Sequence, residues 1–264
     1  MLTREQVEAF HRDGFLNLGK LLDEKECREL EEEIFRVMRE ETEKKPVLLR
    51  NMTGRDDAVV VQIVNIWEAS ERFLELAKHP VITEAVAQLA ETDTLRIWHD
   101  QVQYKPPRAG GPTGWHQDHP LWPSIQPADL ITAWIPFEDA TIENGCMWMV
   151  PGSHRWGNQQ RYLASGPNFE PIHREPERLP EGAVIRSVPC EVRRGECHLH
   201  HCLTWHGSPD NRSDRPRPAL AIHYMPGHIR FDPVGRHVMD QFIHVPVGAI
   251  LEGEHFPVVY RRSN

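Results

Sequence analysis

Apolar residues recur at helical spacing in the first third of the chain. After Asp23 they fall every three or four positions, so one face of a helix collects Cys27, Leu30, Ile34 and Val37. Asp23 is followed three residues later by Glu26, the pairing of a capping box, in which each side chain binds the other's backbone N–H. The pattern predicts an amphipathic helix that begins after Asp23 and buries this apolar face.

Three other helices are predicted in the same third of the chain. Thr3 and Gln6 form a second capping box, and Gly14 stands where a left-handed residue would end the helix. Two shorter helices fit residues 69–78 and 80–91. The N-terminal part, about residues 1–92, is therefore predicted to be mainly helical.

From residue 95 the pattern changes to short runs of strand composition separated by turn signals. Strands are predicted at residues 95–104, 130–137, 146–150, 183–188, 197–205 and 219–225. Many short strands after a helical start predict a mainly β protein, a sandwich or jelly roll with flanking α-helices packed on one side. Residues 242–259 have apolar, β-branched character, which is compatible either with another strand or with a cover over the mouth of the barrel.

Length and composition indicate one domain over residues 1–264, with a core at about 93–226 and a C-terminal extension at 227–264. The net charge of −9 argues against nucleic acid, which needs a basic patch. No apolar stretch reaches the length of a membrane span, so no membrane insertion is expected. Five cysteines without a Cys-x-x-Cys motif favour reduced thiols and a cytoplasmic location.

Candidate metal ligands follow a glycine-rich approach segment, in the motif His116-Gln117-Asp118. In an extended strand, residues two apart share a face, so His116 and Asp118 can bind one ion. His206 lies at the end of a later predicted strand, which an antiparallel sandwich can place beside the first. Two histidines and one carboxylate form the facial triad that holds Fe(II) and leaves three coordination positions open.

Two similar doublets are weaker candidates for metal binding. His11 and Asp13 lie on a predicted helix, where residues two apart point about 200° apart. His173 and Glu175 lie in a segment rich in proline, glutamate and arginine, which is typical of an exposed loop. Neither doublet is therefore expected to chelate a metal.

An arginine after the distal histidine predicts a cosubstrate site. The three open positions would take 2-oxoglutarate and then O₂, and the far carboxylate of 2-oxoglutarate needs a permanently charged partner such as arginine. Arg217 shares strand parity with the small residues Ala219 and Ala221, whereas Arg215 lies in a polar turn. Arg217 is the preferred anchor, and Ser208 is a candidate donor to the same carboxylate.

These motifs together resemble the phytanoyl-CoA dioxygenase family of Fe(II)/2-oxoglutarate-dependent oxygenases. The resemblance rests on residues 10–15, His116-Gln117-Asp118, residues 133–136, residues 143–146, residues 151–154, and His206-Gly207-Ser208 with Asn211 and Arg217. It implies a double-stranded β-helix (a cupin-like jelly roll) and decarboxylation of 2-oxoglutarate to succinate. It also implies that Trp134, Gln103 and Gln117 face the 2-oxoglutarate pocket. Because Asp118 is present, hydroxylation is expected rather than halogenation.

Substrate contacts are the weakest part of the prediction. Trp122, His119 and Trp148 are candidates, although core packing is the simpler interpretation of the tryptophans. Selectivity is expected from the N-terminal helices, the loop around Trp122, residues 155–182 and the C-terminal tail. A small organic molecule is the expected substrate, and the scarcity of basic clusters argues against a coenzyme A thioester. The sequence does not address oligomeric state.

Three alternatives stay open at this stage. The chain could be a non-catalytic metal- or ligand-binding protein on the same fold. It could also be a zinc hydrolase that uses the same three ligands. The run Cys197-His198-Leu199-His200-His201-Cys202 invites a second zinc site, but strand alternation divides it between two faces, which favours core and edge packing.

Overall fold

The computed structural model describes residues 1–163 and 179–262. The described part contains six α-helices: α1 (Arg4–Asp13), α2 (Glu24–Met38), α3 (Ile66–Ala69), α4 (Glu71–Ala77), α5 (Pro80–Leu89) and α6 (Gln160–Leu163). Both predicted capping boxes are present, Thr3 with Gln6 at α1 and Asp23 with Glu26 at α2. Gly14 ends α1 in the left-handed conformation, as its position in the sequence predicts.

The strands are β1 (Phe15–Lys20), β2 (Leu48–Asn51), β3 (Val61–Val64), β4 (Thr94–Lys105), β5 (Thr113–His116), β6 (Ile125–Gln126), β7 (Ile131–Pro136), β8 (Met147–Met149), β9 (Val188–Cys190), β10 (Glu196–His201), β11 (His206–Ser208), β12 (Arg217–Pro226), β13 (Arg230–Phe231) and β14 (Val258–Arg261). Short 3-10 helices cover His119–Leu121, Ser153–Trp156 and Val238–Phe242. The predicted mainly β architecture with flanking helices is confirmed.

The strands form two principal antiparallel sheets. The main sheet has the order β1-β10-β7-β12-β4-β3-β2, with β14 also paired to β4, and the smaller sheet has the order β5-β11-β8-β9. Of the predicted tail segment 242–259, only the last two residues are in a strand, β14, which continues to Arg261. The predicted division into an N-terminal part, a core and an extension stays a prediction, but β1, β2 and β3 from the first part already belong to the main sheet.

Strand alternation gives the main sheet two chemically different faces. On β12, Leu220, Ile222 and Tyr224 join a core that includes the buried residues of α2, α4 and α5. Ala219 and Ala221 point the other way and pack with residues of the smaller sheet. The space between the two sheets is therefore where β12 also presents its polar residues, Arg217 and His223.

Two predicted strands have different bounds in the structure. The run 197–205 is interrupted, because β10 ends at His201 and a turn separates it from β11. A backbone hydrogen bond from Thr204 N–H to the His201 carbonyl, 2.9 Å long, closes that turn. Of the predicted strand 183–188, only the last residue is in β9, which continues to Cys190. Hydrophobic composition located these strands, but hydrogen-bonding partners far away in the sequence set their ends.

Within residues 1–163 and 179–262, no helix combines the length and apolar composition required to cross a membrane. The weak doublet His173 and Glu175 lies outside the described residues, and so does much of the predicted selectivity segment 155–182.

Candidate active site

Two neighbouring strands bring the candidate histidines face to face. β11 pairs with β5 in a register that puts His206 opposite His116. Their ring centroids are 4.1 Å apart. The Nε2 atoms of His116 and His206 lie 3.6 and 3.5 Å from Oδ1 of Asp118. One ligand atom from each residue falls within 4.8 Å of the others, so the three side chains share one centre that could hold a metal ion.

Backbone carbonyls fix both imidazole rings in the orientation that a metal requires. Nδ1 of His116 lies 2.8 Å from the Gly114 carbonyl oxygen, and Nδ1 of His206 lies 2.9 Å from the Thr204 carbonyl oxygen. A carbonyl only accepts, so each Nδ1 must carry the hydrogen. In the neutral ring this leaves the Nε2 lone pair free for a metal, and such outer partners orient metal-binding histidines generally.

Asp118 reaches this centre by a route that strand alternation does not predict. β5 ends at His116, and Asp118 has a right-handed helical backbone (φ −68°, ψ −53°) at the start of a 3-10 helix. The Leu121 N–H donates to the Asp118 carbonyl over 2.9 Å, which closes that turn. The prediction that His116 and Asp118 share the face of one strand is therefore wrong, although the tight turn brings their side chains together.

Asp118 is held as an ionised carboxylate. Burial would raise its pKa, but the charge on His206 and hydrogen bonds from the surrounding imidazoles outweigh burial, so the pKa lies well below its usual value. Burial likewise opposes the charge on His206, but the facing carboxylate raises its pKa by more. A divalent cation at this centre would replace the imidazole proton as the countercharge of Asp118.

The second oxygen of Asp118 has its own donors. Oδ2 lies 3.2 Å from the Thr132 hydroxyl and 3.3 Å from Nε2 of His200. Burial lowers the pKa of His200 to about 4, so its ring is neutral and donates through Nε2–H. Since Oδ2 is occupied in this way, Oδ1 is the oxygen that faces the two metal-binding histidines.

The sequence interpretation missed His200 and Thr132 as parts of the site. His200 was assigned to core and edge packing, yet it reaches Asp118 from β10, which is adjacent to β7. Strand alternation places His200 and His198 on the same face of β10. Only the order of the strands in the sheet shows that this face lies toward the metal centre. No second group of three potential metal ligands occurs in the described residues, so the Cys197–Cys202 run does not form one there.

Arg217 and Lys105 are two buried cations at the far end of the space between the sheets. Arg217 is 1% exposed, and among the described residues its Nε and Nη2 atoms have no hydrogen-bond partner. Its guanidinium carbon lies 5.5 Å from the centre of the Trp134 ring, and burial lowers its pKa to about 10. Arg215 is exposed, which agrees with the preference for Arg217.

Lys105 was not among the site residues predicted from the sequence. It lies opposite Arg217 on the neighbouring strand, so it belongs to the same buried cationic cluster. Lys105 Nζ donates to Ser208 Oγ and to the Pro209 carbonyl, both at 2.7 Å. Burial first, and then the charge of Arg217, bring the pKa of Lys105 well below its ordinary value. Because Lys105 Nζ already has acceptors on Ser208 and Pro209, Arg217 is the cation whose unused donors are suited to a small anion.

A small cavity lies at the metal centre, and its wall includes Ser208 and Trp134, which contact Lys105 and Arg217. Its wall includes all three candidate metal ligands together with Ser208, Trp134 and Gln103 from the predicted cosubstrate set. The other lining residues are Gln101, Thr113, Thr132, Met147, His200, Gly207, Ala221 and His223. The three metal ligands and three of the five predicted cosubstrate residues therefore meet in one place, whereas Arg217 is not among the residues that line the cavity.

Gln117 is not part of that wall. Its side-chain amide donates to the carbonyl oxygens of Gly157 and Leu203, at 2.9 and 2.8 Å, and its Oε1 accepts from Gln159 N–H. All of its side-chain polar atoms are thus engaged in bracing loops around the site. The structure gives Gln117 a scaffolding position instead of the predicted pocket position.

The predicted substrate residues also lie off the cavity wall. His119 is buried, and its Nε2 lies 2.9 Å from the Ile125 carbonyl oxygen. Trp122 is buried edge-on against His223, with centroids 4.6 Å apart. Trp148 lies on a separate surface groove that also contains Arg55 and Arg108. Their identity as substrate contacts stays a prediction that this arrangement does not favour.

Comparison with known proteins agrees with this geometry. A family model described as phytanoyl-CoA dioxygenase (PhyH) matches residues 10–219. The mouse (Mus musculus) phytanoyl-CoA dioxygenase domain-containing protein 1 is 36% identical over 126 residues. That alignment covers 46% of this chain and 42% of the mouse protein, less than half the length of that relative.

Solved structures extend the likeness to nearly the whole chain. The non-heme alpha-ketoglutarate-dependent carbocyclase SnoK from nogalamycin biosynthesis is 27% identical, with a TM-score of 0.80, covering 97% of this chain and 96% of that chain. The epimerase SnoN, in complex with Fe3+, alpha-ketoglutarate and nogalamycin RO, is 25% identical with a TM-score of 0.78, and 97% of both chains is covered. These neighbours have the predicted jelly-roll architecture. The chain belongs to the phytanoyl-CoA dioxygenase family.

Proposed function

We propose that the chain is an Fe(II)- and 2-oxoglutarate-dependent dioxygenase that hydroxylates a small organic molecule. The observation that carries the proposal is the convergence of His116, Asp118 and His206 on one centre, within 4.8 Å of one another. Such a triad leaves coordination positions open for a cosubstrate, whereas a structural zinc site closes all four. Family membership and the alpha-ketoglutarate-dependent structural neighbours support the same reaction class.

The three ligands would hold the ion through Nε2 of each histidine and Oδ1 of Asp118. The backbone carbonyls that accept from Nδ1 orient the rings before any metal arrives, which lowers the cost of ordering the site. When bound, ferrous iron and 2-oxoglutarate supply oxidative decarboxylation to succinate and CO₂, coupled to O₂-dependent hydroxylation of the substrate.

Arg217 would grip the far carboxylate of 2-oxoglutarate with its unpaired Nε and Nη2 donors. Ser208 Oγ accepts from Lys105, so its own hydroxyl hydrogen is available for the same carboxylate. Trp134 and Gln103 would form the side walls of this pocket. A carboxylate in this buried place would offset the charges of Arg217 and Lys105, neither of which forms a salt bridge in the described residues.

The substrate would approach the part of the cavity that neither the metal nor 2-oxoglutarate uses. Thr113 and Met147 would line that part, because both are on the cavity wall and neither has a role in holding the metal or 2-oxoglutarate. One methyl-bearing hydroxyl and one thioether suit a mainly apolar molecule. The argument against a coenzyme A thioester stays a prediction; among the described residues, no lysine or arginine lines this cavity.

Succinate formation tests the proposal without knowledge of the product. The purified chain is incubated with Fe(II), O₂ and 2-oxoglutarate and screened against lipids, amino-acid derivatives and natural-product scaffolds. Because the structural neighbours include a carbocyclase and an epimerase, succinate is a better readout than any one product. His116→Ala and Asp118→Ala should abolish succinate formation, and wild-type turnover in either variant would refute the assignment.

A control and two further measurements separate the alternatives. His228→Ala changes an exposed histidine that pairs with Asp129 and lies away from the described cavity wall, so this variant should keep full turnover. A zinc hydrolase would turn over without O₂, whereas the proposed enzyme requires it. A non-catalytic binding protein would form no succinate, even if anaerobic addition of Fe(II) and 2-oxoglutarate gives the visible charge-transfer band of a chelate.

A further inference from the structure

A line of hydrogen-bonded side chains crosses five adjacent strands of the main sheet and ends at the metal ligand Asp118. It takes one residue from each of β2, β3, β4, β12 and β7, in sheet order: Arg50, Gln62, Gln101, His223 and Thr132. Arg50 is exposed at the outer end, whereas His223 and Thr132 are buried. The line therefore links the molecular surface with the metal centre.

Each contact in the line is short enough for a hydrogen bond. Arg50 Nε lies 2.9 Å from Gln62 Oε1, and Gln62 Nε2 lies 2.6 Å from Gln101 Oε1. Gln101 Nε2 lies 3.3 Å from His223 Nε2. Finally, His223 Nδ1 lies 2.7 Å from Thr132 Oγ1, which is 3.2 Å from Asp118 Oδ2. No link depends on a bridging water.

The two ends fix the direction of every bond between them. An ionised carboxylate only accepts, so the single hydroxyl hydrogen of Thr132 must point to Asp118. Thr132 Oγ1 must then accept from His223 Nδ1–H. At the other end a guanidinium only donates, so Gln62 Oε1 accepts from Arg50, and the amide of Gln62 donates onward.

Both directions meet at the imidazole. The amide of Gln62 donates to Gln101 Oε1, so the amide nitrogen of Gln101 donates to Nε2 of His223. His223 must therefore accept at Nε2 and donate at Nδ1, which only one neutral tautomer can do. Burial, the largest influence on this ring, lowers the pKa of His223 to about 3, which agrees with a neutral imidazole.

We infer that His223 is a positioning residue: it is fixed as the Nδ1–H tautomer by Gln101 and, through Thr132, sets which oxygen of Asp118 faces the metal. The inference rests on the proposed function for the identity of the metal, but the tautomer itself does not. With Oδ2 held by Thr132 and His200, only Oδ1 is free to ligate. If the line is broken, His200 alone holds Oδ2, so the carboxylate turns more easily and offers either oxygen.

The tautomer is measured directly on the full, metal-free chain. Long-range ¹H–¹⁵N correlation spectra of ¹⁵N-histidine-labelled protein distinguish Nδ1–H, Nε2–H and doubly protonated rings, and the signals of His223 are assigned by their loss in His223→Asn. We expect Nδ1–H at neutral pH. An Nε2–H ring or an imidazolium would overturn the inference whether or not the protein is a dioxygenase.

Two matched pairs of variants test the effect on the metal. Asparagine places its amide N–H near the position of Nδ1, whereas glutamine reaches toward Nε2. His223→Asn should therefore keep Co(II) affinity within about threefold of wild type, and His223→Gln should lose about 10- to 100-fold, the usual effect of removing an outer partner. Thr132→Ser keeps the hydroxyl and should bind like wild type, whereas Thr132→Val should lose a similar factor.

The position of the Co(II) visible bands gives a readout of ligand geometry separate from affinity. The bands should shift in His223→Gln and Thr132→Val and stay unchanged in His223→Asn and Thr132→Ser. Equal affinity and equal spectra in all four variants would overturn the positioning role. If wild type itself binds no metal, the proposed function fails, while the tautomer measurement still decides the arrangement of the line.

Discussion

Lys105 and Arg217 are opposite each other in the antiparallel pairing of β4 and β12, so two cationic side chains lie next to each other in the main sheet. Both are buried, and no carboxylate forms a salt bridge with either of them in the described residues. Buried charges without a partner are costly, and a site of this kind is stabilised by a bound anion. The cost is consistent with the proposed binding of the far carboxylate of 2-oxoglutarate at this point.

Arg217→Gln should weaken 2-oxoglutarate binding about 100-fold or more, roughly 3 kcal/mol, because it removes one member of a buried charge pair. Metal affinity should stay at the wild-type level, since Arg217 does not contact the metal ligands. Calorimetric titration of 2-oxoglutarate into the metal-loaded protein measures the first quantity, and metal titration measures the second. Arg215→Gln, in the adjacent exposed turn, is the control and should change neither. Parallel loss of both affinities in Arg217→Gln would indicate misfolding instead.

Lys105 should make the stability of the cosubstrate-free protein depend on pH. Its pKa in the folded chain is well below the ordinary 10.5, because burial and Arg217 disfavour the charge. Between the folded pKa and 10.5, only the unfolded chain holds the proton, so the free energy of unfolding rises with pH, by up to about 1.4 kcal/mol per unit. Relative to Lys105→Met, wild type should gain stability as pH increases through this window. Denaturant unfolding at several pH values checks this, and a constant difference would contradict it.

At the scale of elements, the end of α1 braces the turn that precedes His206. The Gly14 carbonyl accepts from His201 N–H and from Thr204 Oγ1, both at 2.9 Å. The carbonyl of Thr204 in turn orients the His206 ring. The end of α1 therefore holds the turn whose Thr204 carbonyl orients the candidate metal ligand His206. This contact gives the N-terminal motif a structural role.

Gly14→Ala should destabilise the chain by about 3 kcal/mol and weaken metal binding. The residue has a φ of +85°, and an added Cβ would meet the ring of His154 and lie 2.7 Å from Thr204 Oγ1. Gly19→Ala is a matched control, because its φ is +84° and a Cβ there would meet nothing within 4 Å. The control should be destabilised by only about 1 kcal/mol, the cost of a left-handed backbone conformation in a residue with a Cβ. Equal Tm losses in both variants would show that the contact with Thr204 does not matter.

Local signals predicted most of the elements and the main residues of the candidate site. Capping boxes, such as Thr3 with Gln6, act within one turn, so they can be found in the sequence. The end of β5 at His116 could not be predicted, because the turn at Asp118 is held by contacts with distant residues. His200 and Lys105 were missed for the same reason: a strand shows which residues share a face, but only the sheet order shows what that face meets.

At the scale of the whole molecule, the two faces of the main sheet have different roles. One face buries the apolar residues of β12 and β7 against the helices, which supplies the stability of the fold. The other face carries the cations, the histidines and the line from Arg50, so it supplies the chemistry. Although the chain carries a net charge of −9, positive charge is concentrated at one buried point, which suits a small anion and not an extended polyanion.

Anomalous diffraction at the iron edge, on anaerobic crystals with Fe(II) and 2-oxoglutarate, tests the central claim most directly. We predict one iron peak about 2.1 Å from Nε2 of His116, Nε2 of His206 and Oδ1 of Asp118, with 2-oxoglutarate reaching from the iron to Arg217. Iron bound by any other set of side chains, or 2-oxoglutarate density that does not reach Arg217, would contradict the account.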